Sequence, residues 1–274
     1  MEYEIQKPLK ELKSILSEAR YGSPRTRNSY ETVVKGIIKD LYFLKLFFNT
    51  ITSINVDYVN QLINQWKRKK LSNATIGSRL SILRQYLALA NHIIALPSNY
   101  ELGLAKVRSK QSYSLASEDV LTKVHHPITK LILKLQIYFG LTKSEALDFK
   151  IQIYTYETKT LFVHKSVSHN GKDRMIEMRT AAQENVIHDL SEALGYKLSL
   201  SDKFNKTDLL HLYHSELMLI NLLPNTSYRS LYARSLYQFL INNNKLTRKE
   251  AIKKIVFDMG MSESRTIIDW IGHE

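Results

Sequence analysis

The 274-residue sequence predicts a mainly α-helical chain of two domains, with a small antiparallel sheet set into the second. Three observations carry that expectation. Apolar residues recur at helical spacing from residue 7 to about residue 93; a polar, basic stretch without periodicity follows; beyond it, a short tract alternates with the period of a strand before helical spacing returns.

Residues 7–20 place Leu9, Leu12, Ile15 and Leu16 on one helix face. Gly22 and Pro24 in "YGSPRTRNSY" punctuate the chain, and Ser29 is expected to cap a second helix from Tyr30 to Asn49, with Val33, Val34, Ile37, Ile38, Leu41, Leu44 and Phe48 inward. A third helix, Val56 to Lys69, buries Val59, Leu62, Ile63 and Trp66. The fourth follows an N-cap at Ser72 or Asn73 and carries the stripe Ile76, Leu80, Leu83, Leu87. Four helices with short connections read as one bundle, residues 1–97.

"PSNYELGLAKVRSKQSYS" loses the pattern, so residues 98–114 are the expected linker and 115–274 the second domain. Helices are expected from Ser117 to Val124 and from Thr129 to Phe139, the latter closed by Gly140. "IQIYTYETKTLFVHKSV" and "RMIEM" then alternate as strands, and Asn170-Gly171 between the last two signals a two-residue hairpin turn. From Ala181 onward helices return.

Cysteine is absent, which excludes disulfides and thiolate metal sites, and no charge-free apolar run is long enough to cross a bilayer. The N-terminus has no apolar core of a signal peptide, so a cytoplasmic, nucleoid-associated protein is expected. The net charge of +13 is uneven: residues 1–110 hold 18 Lys and Arg against 8 Asp and Glu, the remainder 21 against 18. A basic first domain beside a nearly balanced second one points to a polyanion, most simply duplex DNA.

The run Lys67, Arg68, Lys69, Lys70 precedes a helix N-terminus, and Arg79 and Arg84 lie further along that helix, with Arg108 in the linker. Together they are either phosphate contacts or a solvated helix end. His125-His126 read as a solvated pair, and His211, His214 and Glu216 make only a weak metal pattern, so neither a metal nor a cofactor is expected. Tyr113, Tyr213 and Tyr237 read as core or interface rings. No glycine-rich phosphate loop or GxSxG elbow appears, and no small-molecule substrate is expected.

Four segments stand in order: "LQIYFGLTKSEALDF", "KSVSHNGKDRMIEM", "SYRSLYARSLY" and "IDWIGHE". Their layout resembles the tyrosine recombinases, or phage integrases, in particular a bacterial branch whose second domain carries FGLRxEE, TKGGRxRxIPI, HGLRHxYA and LGHE. The resemblance runs from about Thr26 to the last residue. It implies an N-terminal core-binding (SAM-like) four-helix bundle and a mixed α/β domain of the catalytic type. It also implies a chemistry in which a tyrosine hydroxyl attacks a DNA phosphodiester without a metal. Arginines, a lysine and histidines then meet the charge of the phosphorane, and the hairpin lysine protonates the leaving oxygen.

Carried over residue by residue, the resemblance is incomplete. Thr142 stands where the first family arginine follows Gly-Leu, while the acidic Glu145 is kept. His169 stands at the hairpin lysine, with Lys172 across the turn within reach of the same space. HxxR becomes Thr226-Ser-Tyr-Arg229, so Arg229 is kept and the histidine is not. LGHE is kept as Ile271, Gly272, His273 and Glu274. Arg234 has no family counterpart and reads as a phosphate contact or half of a salt bridge. The family's nucleophilic tyrosine is expected two to three turns beyond His273, outside these residues. The resemblance thus implies a DNA-binding recombinase relative impaired in strand cleavage. Its alternative is a non-catalytic DNA-binding or regulatory remnant that occupies a recombination site or partners an intact recombinase. Without the family's exchanged C-terminal segment, a monomer is expected in solution.

Overall fold

The computed structural model describes residues 2–18, 24–104, 119–151, 158–222 and 226–272. The chain divides into two compact units, Met1–Lys110 and Gln111–Glu274.

In the first unit, α1 (Glu2–Glu18), α2 (Pro24–Phe43), a 3-10 turn (Ile51–Ser53), α3 (Val56–Arg68) and α4 (Asn73–Leu89) enclose one core. Leu12, Ile38, Leu41, Leu62, Trp66, Ile76, Leu80 and Leu83 are fully buried in it. Each such side chain contributes about 1.5–3 kcal/mol relative to exposure. Asn55 and Ser72 cap α3 and α4 by accepting the N–H groups of Tyr58 and Thr75.

Helix α2 begins at Pro24, not Tyr30, and Ser29 lies inside it. Proline suits a first turn, whose N–H would be unpaired in any case. The same helix stops at Phe43 because Lys45 takes φ +61°, with Lys45 N–H bonded to Tyr42 O and Leu46 N–H to Leu41 O. Lys70 (φ +56°) and Asn91 (φ +53°) close α3 and α4 with the same paired bonds.

Residues 98–104, expected in the linker, fold back onto α4. Leu104 is buried, Asn99 Nδ2 donates to Gly77 O, and Ser98 N–H donates to Glu101. Residues 105–118, including Arg108 and Tyr113, lie outside the described residues.

The second unit is built on α6 (Pro127–Phe139), which carries buried residues on every side and packs against α8 (Ala181–Leu194) and α11 (Arg229–Asn242). A short α5 (Val120–Lys123) precedes it and α7 (Lys143–Asp148) follows. Thr180 and Thr247 close capping boxes at α8 and at α12 (Arg248–Asp258). The remaining helices are α9 (Leu200–Lys203), α10 (Lys206–Leu219) and α13 (Arg265–Ile271).

Two strands, β1 (Thr160–Val163) and β2 (Arg174–Glu177), pair antiparallel with Thr160 opposite Glu177 and Val163 opposite Arg174. The expected two-residue turn is not formed. A loop of residues 164–173 joins the strands, and Asn170-Gly171 sits inside it, with Gly171 N–H bonded to Ser168 O and Gly171 at φ +68°. Asn170 spends its side-chain oxygen locally, accepting from Ser168 Oγ and Lys172 N–H. That local bonding favours a wider turn over strand continuation. Residues 152–157, expected as strand, lie outside the described residues. No described helix is long and apolar enough to cross a membrane.

Candidate functional site

Arg229 opens α11, and its guanidinium is held by carbonyl oxygens. Nε donates to Gly140 O at 2.6 Å and Nη2 to Met259 O. Gly140 closes α6 at φ +63°, where an added Cβ would stand 2.6 Å from Tyr232 Cδ1, so only glycine brings that carbonyl to the arginine. Burial lowers the Arg229 pKa to about 10; Glu145 opposes the shift and Arg174 adds to it. The group is still charged at neutral pH. Carbonyls orient that charge without neutralising it, which leaves it available to an anion.

Glu145 ties three segments to this seat. It is fully buried and closes a capping box with Thr142: Thr142 N–H donates to Oε2 at 2.7 Å, and Glu145 N–H to Thr142 Oγ1 at 3.1 Å. Its Oε1 accepts from His169 N–H at 2.7 Å and from Arg174 Nη1 at 2.8 Å. Burial pushes the Glu145 carboxyl up, but Arg174 and the two backbone N–H groups outweigh this and hold it below the usual range. Thr142, in the first arginine's place, is therefore a helix cap.

Arg174 was not singled out in the sequence. It is buried, with Nη1 on Ser168 Oγ at 2.6 Å and Nε on Asp258 O at 3.0 Å. The signal that finds it is the alternation of β2, which turns Arg174 inward with Ile176. Asp258, also fully buried, accepts from Tyr232 Oη and Arg179 Nη2, both at 3.1 Å. Burial raises its pKa against the pull of Arg179 and Lys254.

His169 and Lys172 are exposed on the β1–β2 loop; the His169 backbone is fixed by Glu145 and that of Lys172 by Asn170. Thr226 lies half-buried three residues before Arg229, and His273 and Glu274 fall outside the described residues. Arg234 is half-buried on α11. Thr142, the His169 backbone and Arg229 are thus gathered around Glu145.

On the first unit, Lys67, Arg68, Lys69 and Lys70 are all exposed. Lys69 pairs with Asp40 at 2.9 Å and lies over the Phe43 ring. Arg79 approaches Asp40 at 3.4 Å and stacks over Trp66. Arg84 is committed to Asn99 Oδ1 and Pro97 O, a strut for the folded-back segment.

His126 Nδ1 caps α6, and Glu216 accepts the N–H groups of His125 and His126. Among the described residues the one group at ligand spacing is His188, Asp189 and Glu192 on α8, where Asp189 already pairs with Lys134. Tyr213 is buried with its hydroxyl on Gln136, and burial raises its pKa; Tyr237 is half-buried.

Residues 5–95 match the family described as phage integrase, N-terminal. A search of curated protein sequences gives no match. Among solved structures, the Tn1549 transposon integrase (residues 82–397) in complex with circular-intermediate DNA aligns with TM-score 0.63 and 14% identity, over 98% of this chain and 96% of that one. A lambda integrase (75–356) dimer bound to a COC′ core site aligns with TM-score 0.64 and 16% identity, over 97% and 95%. The XerH recombinase bound to difH before cleavage aligns with TM-score 0.57 and 16% identity, over 97% and 81%. In fold, then, the chain resembles the tyrosine recombinases. More narrowly, residues 5–95 of its first unit are similar to the N-terminal domain of phage integrases.

Proposed function

We propose that the chain binds duplex DNA as an integrase-type protein of site-specific recombination, and that its power to cut strands is reduced. One observation carries the reading: Arg229 is fixed as an unneutralised cation by Gly140 and Met259, while Thr142 is spent as a helix cap. The exposed Lys67, Arg68 and Lys70 make no ion pair among the described residues and supply the backbone contacts that give affinity. The solved relatives bound to DNA support the partner. Such a protein works where DNA is, in the cytoplasm at the nucleoid.

Without an arginine at 142, a lysine at 169 or a histidine at 226, charge on the phosphorane is met less well. Each missing donor costs about 10²–10³-fold in rate. The test is covalent trapping on a nicked duplex carrying a sequence selected by the chain itself. No protein–DNA adduct is expected, and an adduct formed at the rate of an intact recombinase would refute the reduced activity.

The commitment of Thr142 to the cap also favours a second reading, a DNA-binding or regulatory protein that occupies a recombination site or partners an intact recombinase. Under it, Arg229→Ala leaves DNA affinity nearly unchanged while replacing Lys67, Arg68 and Lys70 by Ala weakens it. Equal losses would argue against that reading.

A further inference from the structure

Lys143 follows Thr142 directly and stands three residues past Gly140, the residue whose carbonyl seats Arg229. Its ammonium lies 2.7 Å from His214 Nε2 on α10 and 5.1 Å from the centroid of the Tyr213 ring. No carboxylate pairs with it among the described residues. Elsewhere in this unit Lys134 meets Asp189, Lys206 meets Asp148 and Lys254 meets Glu177.

Three acidic groups on α7 and α10 are committed elsewhere. Glu145 is bound by Thr142, His169 and Arg174; Asp148 is taken by Lys206; Glu216 caps the backbone at His125 and His126. What faces His214 is therefore Lys143 from α7 and His211 from its own helix, with the Tyr213 ring beside them. Lys143 donates to a neutral His214. Burial holds Lys143 below its ordinary pKa, and burial, Lys143 and His211 together hold His214 below its own. A half-buried cationic group at the start of α7, without a counter-ion among the described residues and three residues past the carbonyl that seats Arg229, is arranged for an anion from outside the chain.

We propose that Lys143 binds a backbone phosphate of duplex DNA. This rests on the DNA-binding reading above. An arriving phosphate draws a proton onto His214, because it provides the anion that Lys143 and His211 lack, so binding strengthens as pH falls.

The experiment measures affinity of the full chain for a fluorescent random-sequence duplex across a salt series, at pH 6 and pH 8. Lys143→Gln is expected to flatten the dependence of log K on log salt by about 0.9, the release of one phosphate contact. Lys143→Arg, which keeps the charge, is expected to retain the slope, and thermal melts of both variants report folding. His214→Gln keeps an acceptor for Lys143 and is expected to remove part of the tightening between pH 8 and pH 6. An unchanged slope in a folded Lys143→Gln protein that still binds DNA would overturn this inference alone. Failure of the unaltered chain to bind at low salt would overturn the DNA reading and this inference with it.

Discussion

Replacing Glu145 by Gln tests whether one buried carboxylate holds the site together. The side chain is fully buried and accepts three hydrogen bonds, from Thr142 N–H, His169 N–H and Arg174 Nη1. Glutamine keeps the volume but offers one acceptor oxygen, and it leaves the Arg174 charge buried without its carboxylate. Breaking a buried pair on one side costs about 3–5 kcal/mol. Urea unfolding followed at Trp270, in a Trp66→Phe background that removes the other tryptophan, reads the second unit. For a urea slope of about 2 kcal/mol/M the midpoint falls by about 2 M. Because the cost comes from the unpaired charge, adding Arg174→Met to Glu145→Gln should recover part of it. Since Glu145 is held below its ordinary pKa, its contribution is full above the unfolded-state value and fades as pH falls through the folded one. A midpoint shift below about 0.5 M, or no recovery in the double variant, would show that the Glu145 carboxylate does not hold the site together.

Gly260→Ala places a Cβ 2.8 Å from Arg174 Nη1 at φ +62°, so a loss of more than about 1 kcal/mol is expected in thermal melts. Asp40→Asn keeps an oxygen for Trp66 Nε1, which now donates at 2.8 Å, but releases Lys69 and Arg79. DNA binding should then depend more steeply on salt, by about 0.9 for each cation that gains a phosphate; an unchanged slope would show that neither does. Replacing Lys67, Arg68 and Lys70 together by Ala should flatten the same slope by up to about 2.7, measured by fluorescence anisotropy.

The bundle was legible because its signals are local. Val59, Leu62, Ile63 and Trp66 recur at helical spacing, and all four are buried. The helix ends were less so, since Lys45, Lys70 and Asn91 adopt the left-handed turn that sequence reading expects of glycine. Leu104 closes the first core from beyond the expected boundary, a contact that depends on Asn99 and Gly77, twenty-two residues apart. At the site, Arg229 stands out in the sequence by its motif. Its seat does not, because Gly140, Met259 and Glu145 meet only in three dimensions. Arg174 escaped notice because an inward arginine is legible only once its carboxylate partner, 29 residues earlier, is known.

The most direct test of the central claim is selection of bound duplexes from a randomised DNA pool at physiological salt, followed by sequencing. Retention of duplex DNA and enrichment of an inverted repeat are expected of an integrase-type protein that reads a recombination site. A pool recovered at background level, with nothing enriched, would contradict that claim.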